Sequence, residues 1–158
     1  MNPQTTHISQ LLTASFEGEP WHGNSLKTIL RGVAPGIAFI KPEPLPYSIA
    51  NLVAHLTQWR RFVAEKLKGN DDFSIQLNSP EDWPELVAGP HVWEGLLDNL
   101  AQGQADLAAQ LAQFPDGRLD ELVPSKKPRY TYRDMLMGLV SHDVYHAGQI
   151  ALLKKLVG

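Results

Sequence analysis

The stretch from Thr131 to Val157 constrains the fold more than any other part of the chain. Tyr132, Met135, Leu139, Ile150, Leu153 and Val157 recur at steps of three, four or seven residues, or sums of these, which is the period of an α-helix with one apolar side. His142 and His146 continue that stepping from Leu139, so both imidazoles fall on the apolar side. Residues four apart on a helix have Cβ atoms only about 5–6 Å apart, and two rings so placed can aim at one point. A polar ring at an interior position needs a partner. A metal ion serves two at once, because neutral imidazole is its commonest protein ligand. On an exposed face the same His-x-x-x-His spacing would carry no such meaning.

The rest of the chain also reads as helices. Thr5 or Thr6 can cap a first helix with Ile8, Leu11, Leu12 and Phe16 on its stripe, and Gly18 and Pro20 interrupt it. Asn24 or Ser25 can cap a short continuation through Leu26, Ile29, Leu30 and Val33, so residues 5–33 form one broken helical arm with the break near Pro20. His22 sits at that break, either solvated or lining a site at the bundle mouth. Prolines 35, 42, 44 and 46 then leave room for at most one helical turn, around Gly36 to Phe39. Ser48 caps a strong helix, with Tyr47 and Leu52 placed as a hydrophobic staple. Its stripe is Leu52, Leu56, Trp59, Phe62 and Val63. His55 falls three after Leu52 and four before Trp59, inside that stripe. Arg60, Arg61, Glu65, Lys66 and Lys68 are expected on the outer side, and Gly69-Asn70 ends the helix.

The segment 71–90 is nearly twenty residues of irregular chain punctuated by Pro80, Pro84, Gly89 and Pro90. It is either a plain surface connection or the wall of a pocket, with Ser79-Pro80-Glu81-Asp82 starting a short turn and Trp83 pinning it to the core. His91 to Phe114 returns to helix through Val92, Leu96, Leu100, Leu107 and Leu111. Gly95 and Gly103 allow close helix approach there, and His91 is structural or exposed. Lys126, Lys127 and Arg129 form a small basic cluster, read first as solvated surface and second as a means of capturing an anion near the site. Thr131 with Asp134 starts the last helix as a capping box. Four main helices without β alternation define an all-α fold, a four-helix bundle with a broken first helix, expected to form one domain over residues 1–158.

Composition narrows the function. A net charge of −3 leaves no basic footprint for nucleic acid. The absence of cysteine excludes disulfides, thiolate metal sites and a cysteine nucleophile of the chain's own. The polar N-terminus lacks the pattern of a signal peptide, and no run approaches the ~18 apolar residues that would span a membrane. A cytoplasmic protein with a small-molecule partner is the expectation.

In a bundle, interior positions of different helices converge. His55, His142 and His146 can then close three corners of a metal site and leave one position for water or substrate, as catalytic zinc sites do. An all-nitrogen set suits zinc, nickel, cobalt, copper or iron and disfavours magnesium and calcium. Asp143 is turned about 100° from its neighbour by helix geometry, which makes it a supporting or outer-face residue, not a ligand. Gln149, seven after His142, can hydrogen-bond inside. The alternative is three separately satisfied core rings. No glutamate lies between the two histidines as in a His-Glu-x-x-His zincin, which weakens hydrolysis as the reaction.

These residues resemble the DinB/YfiT-like superfamily of metal-dependent enzymes. The likeness lies in His142-x-x-x-His146-x-Gly148-Gln149-Ile150, in Leu52-Val53-Ala54-His55-Leu56-x-x-Trp59-Arg60, in Trp21-His22-Gly23-Asn24-Ser25-Leu26 and in Pro42 to Ser48. The resemblance implies a four-helix bundle, often a homodimer, with a divalent metal, nickel or zinc, on the three histidines. It further implies either a thiol-dependent S-transferase using a low-molecular-weight thiol as cosubstrate or a hydrolase. No residue marks the substrate. A metal- or ligand-binding module that acts in stress response without turnover is the competing function.

Overall fold

A computed structural model describes residues 3–158 and contains six α-helices, with no strand among the described residues beyond a lone bridge between Leu122 and Thr131. They are α1 (Pro3–Glu17), α2 (Leu26–Leu30), α3 (Pro35–Ala38), α4 (Ile49–Leu67), α5 (Pro90–Gln113) and α6 (Tyr132–Val157). A single 3-10 turn, Asp116–Arg118, follows α5. The four long helices are the four read from the sequence. The broken arm is α1 and α2, separated by a turn around Pro20 and Gly23.

The ends of α4 and α6 are fixed locally. The Asn51 N–H donates to Ser48 Oγ while the Ser48 N–H donates to Asn51 Oδ1, a reciprocal cap. Thr131 and Asp134 repeat the arrangement at the start of α6. At the far end of α4, Gly69 takes a positive φ of 86° and the Asn70 N–H reaches back to Glu65 O, a Schellman closure that an L side chain would strain.

α4 is the central rod and packs on both α5 and α6, while α1 closes the other side against α5 and α6. The core has two apolar halves. One holds Phe16, Leu26, Leu52, Leu56, Trp93, Leu100, Ile150 and Leu153. The other holds Ile8, Leu12, Phe62, Leu107, Leu111, Tyr132, Leu136 and Leu139. On α4 the change from the first half to the second falls after Leu56; on α6 the reverse change falls between Leu139 and Ala147. A polar layer occupies that level, with His55 and Arg60 from α4 and His142, Asp143 and His146 from α6.

Two expectations for α4 fail. Arg60 is fully buried and Lys66 nearly so, although both were placed on the outer side. Arg60 stands four residues after Leu56, and Lys66 four after Phe62, so the helical period turns both inward. Each survives burial because every side-chain nitrogen has a hydrogen-bond partner. The Arg60 guanidinium donates to Asp143 Oδ2 at 2.7 Å, Gln104 Oε1 at 3.1 Å and Leu56 O at 3.2 Å. The Lys66 ammonium donates to the carbonyls of Asn70, Asp71 and Pro124. α5 passes close to Arg60 at Gly103, where a Cβ would meet the Arg60 side chain at 3.6 Å, an ordinary contact that does not require glycine.

Candidate metal centre

Helical stepping brings His142 and His146 to one face of α6, and the packing of α4 on α6 sets His55 opposite them. The Nε2 atoms of His55 and His146 each lie 3.0 Å from His142 Nε2. A metal–nitrogen bond of about 2.0–2.1 Å separates neighbouring ligand nitrogens by roughly 2.9–3.4 Å, depending on whether the angle between them is right or tetrahedral. The observed spacing falls in that range. One ligand atom from each ring lies within 4.8 Å of the other two, so the three rings can hold a metal ion.

The second nitrogen of each ring shows how the ring is held. His55 Nδ1 lies 2.8 Å from Asp82 Oδ1 and 3.1 Å from Asp82 O. Both are acceptors, so Nδ1 carries the proton and Nε2 presents its lone pair to the cluster. His146 Nδ1 lies 2.6 Å from Gln149 Oε1, with the same consequence, and Gln149 Nε2 points to the Tyr47 hydroxyl at 3.4 Å. Such outer partners orient metal-binding imidazoles in general. His142 differs: its Nδ1 is buried without a hydrogen-bond partner. Two lone pairs locked onto one point, with a third imidazole nitrogen beside it, fit a divalent ion that takes nitrogen ligands.

Burial keeps the rings neutral. Desolvation lowers the pKa of His55, with Asp82 opposing, and lowers that of His146, with Gln149 opposing. His142 is pulled down to about 3, first by desolvation and then by the neighbouring histidines and Arg60. Neutral imidazole is the ligating form. The indole of Trp83 stacks on His55 with centroids 4.0 Å apart and planes 14° apart, and Tyr145 meets His146 edge-on. Aromatic rings thus flank His55 and His146.

A sequence model of the DinB superfamily matches residues 21–150. The chain belongs to the DinB superfamily. No curated protein and no solved structure matches it. In this DinB-superfamily bundle the matched span includes the turn at Trp21 and all three histidines.

The structure brings His55, His142 and His146 together and leaves the other histidines out. His22 is exposed in the turn before α2. His91 is exposed at the start of α5, 3.5 Å from Glu94. Asp143 is neither a ligand nor on an outer face: it points inside and pairs with Arg60. Trp83 does pin the 71–90 segment, and residues 71–75 and Leu77 of that segment line a groove beside the cluster. Asp82, expected from the sequence only in a short turn, is part of the site. Its Oδ1 also accepts the Trp59 indole N–H at 2.9 Å, its Oδ2 accepts the Asn78 N–H at 2.9 Å, and the residue is buried. The available signal was an acid beside the one tryptophan expected to anchor the loop. No described helix is long and apolar enough to cross a membrane.

Proposed function

We propose that the protein is a divalent-metal-dependent enzyme acting on a small molecule, with His55, His142 and His146 as ligands and a low-molecular-weight thiol as cosubstrate in an S-transfer. The observation that carries this reading is the convergence of three imidazole nitrogens, those of His55 and His146 each 3.0 Å from that of His142, beside an open groove. A bound divalent ion, nickel or zinc on the family resemblance, supplies Lewis-acid chemistry and lowers the pKa of a thiol or water that reaches it. The chain's own residues do the rest. Asp82 and Gln149 hold two rings in their ligating tautomer, Trp83 backs His55, and Trp59, Phe62 and Leu139 give the groove apolar walls that displace water. Transfer is favoured over hydrolysis because hydrolysis asks for a general base. Asp82, the carboxylate attached to the cluster, is committed behind His55 to three donors. Hydrolysis of a small ester or amide is the alternative reaction. The same lack of a base also suits a binding module without turnover.

Elemental analysis of the purified protein and of His142→Ala tests the centre, and the expected result is about one ion per chain in the first and a large loss in the second. Equal metal content in both would sink the proposal. Metal-loaded protein is then assayed for conjugation of small thiols to electrophiles and for ester and amide hydrolysis. Metal without turnover in either assay would favour the binding module.

A homodimer is proposed with it. Met137, Tyr145, Leu152 and Leu156 are exposed apolar residues on α6, and Tyr145, Leu152 and Leu156 are each more than half exposed. At about 100° per residue the four fall within roughly 100° of arc, with the exposed Gly148 among them. An exposed apolar stripe of this kind, interrupted by Ser141 and Lys155, suits a second copy of the chain. Sedimentation of the wild type against Leu152→Glu tests it, and a monomeric wild type would remove it.

A further inference from the structure

The groove continues well beyond the histidines. Its cavity of about 1300 Å³ exceeds the ~300–1,000 Å³ usual for small-molecule sites. α4 and α6 run antiparallel along it, with His55 and His142 at one end and Lys66 at the other. Lining residues extend from Asp134 to His142 on α6 and from His55 to Lys66 on α4. At 1.5 Å rise per residue these spans are about 12 and 16 Å. Between the ends the walls are apolar, with Phe62, Phe73, Met135 and Leu139.

The far end is charged in a particular way. The Lys66 ammonium is spent on three backbone carbonyls and ties Pro124 to the turn at Asn70 and Asp71. That strut sets the following residues over the groove. Lys126, Lys127 and Arg129 line it, are exposed, and have no ion pair or hydrogen bond within the described chain. Of the acids that line the groove, Asp134 accepts from the Thr131 cap, whereas Asp71 and Asp72 are exposed and their carboxylates act on Lys66 only at a distance, favouring its charged form without pairing with it. Three uncommitted cations thus stand at one end of an apolar channel that has His55 and His142 at the other.

We propose that the groove binds an amphipathic carboxylate. Its anionic end pairs with Lys126, Lys127 and Arg129, and its apolar body lies along Phe62, Phe73, Met135 and Leu139. A span of 12–16 Å admits roughly ten to thirteen bonded atoms in extended form. The end of the molecule remote from the carboxylate lies beside His142. That this end is the reacting one rests on the metal-centre reading, whereas the binding itself does not.

Decanoate and its neutral isostere decanamide are the probes, titrated by calorimetry into the full-length, chelator-treated protein. Decanoate is expected to bind about tenfold more tightly than decanamide, as several exposed charge-assisted contacts would give. That preference disappears when Lys126→Gln, Lys127→Gln and Arg129→Gln are combined, and the metal content of the variant matches the wild type. Equal affinity for the two probes, a preference that survives the triple substitution, or binding of neither probe overturns the proposal. A wild type that takes up no metal yet prefers decanoate leaves the carboxylate site standing and removes the assignment of the reacting end.

Discussion

His142 and Asp143 are neighbours on α6, both lie in the polar layer between the two apolar halves of the core, and they do opposite things. Asp143 turns inward onto one terminal nitrogen of Arg60, whose other two nitrogens donate to Gln104 and Leu56. Opposite charges meet at 2.7 Å with both side chains essentially inaccessible. Burial pushes the Asp143 carboxyl up, and the guanidinium holds it against that pull. His142 turns toward the groove, where two other rings offer it lone pairs and nothing in the chain satisfies its Nδ1. One cluster is nearly closed within the protein; only Asp143 Oδ1 lacks a partner. In the other, the Nε2 lone pairs of His55 and His146 both face His142 Nε2, which can donate at most one proton between them, so a lone pair is left for a guest. The contrast is a physical criterion for telling a structural polar cluster from a functional one: whether the donors and acceptors balance without a guest.

The sharpest way to break this comparison is to cut each cluster and read stability and metal separately. Asp143→Ala strands the Arg60 guanidinium in the core and should cost about 3–5 kcal/mol of folding stability. Metal per folded chain should stay near the wild-type value. Replacing both partners, Arg60→Met with Asp143→Leu, should recover most of that loss, since a well-packed apolar pair avoids the desolvation of two charges. Denaturant unfolding distinguishes the cases, and equal destabilisation by the single and double variants would show that the pair is not the source. His142→Ala should do the reverse. Metal affinity should fall more than about 100-fold, beyond the loss typical of an outer-shell change. The metal-free protein should unfold within about 1 kcal/mol of the wild type, because the ring is only half-buried and has no partner at Nδ1. A metal-free His142→Ala protein that unfolds as readily as Asp143→Ala would make the histidines a structural cluster after all.

The unequal legibility of the two clusters follows from their geometry. His55, His142 and His146 could be placed from sequence because each continues an apolar stripe at three- or four-residue steps, and helical period fixes direction. Arg60 obeyed the same period, four after Leu56, but its charge suggested solvent; only the partner on α6 makes an interior arginine acceptable, and partners across helices are not written in local spacing. Asp82 was less accessible still. It sits in an irregular loop, where no period relates its side chain to a face, and it reaches His55 across 27 residues of chain. The loop's tryptophan carried the one usable hint, and it did mark where the segment folds back onto the site.

Asp82 offers the next test, smaller in size, because it touches the cluster without belonging to it. Asp82→Asn keeps the shape and an oxygen for one donor but weakens the acceptor that fixes the His55 tautomer. Metal affinity should drop about 10- to 100-fold, the usual range for an outer partner of a ligating histidine. Folding stability should change far less than in Asp143→Ala. Titration with a competing chelator measures the first and thermal unfolding the second. Unaltered affinity would mean that Trp83 stacking alone orients the ring.

Acidity probes the same contrast most gently. In the metal-free protein His142 has its pKa lowered from the ordinary 6.5 to about 3 by burial and by its neighbours, while in the unfolded chain it titrates near its ordinary value. Between those limits the unfolded state binds a proton that the folded state refuses, so stability is full above about pH 6.5 and declines as the pH falls toward 3. One such ring contributes at most about 1.4 kcal/mol per pH unit, and partial solvent access reduces this. His55 and His146 shift in the same direction and steepen the decline. Removing the ring in His142→Ala should therefore flatten the stability profile of the metal-free protein between pH 6 and 4. Metal should oppose the decline in the wild type only, because protons and metal compete for the same lone pairs. Parallel pH profiles for the two metal-free proteins would mean that His142 titrates normally in the folded state and is not shielded by the cluster.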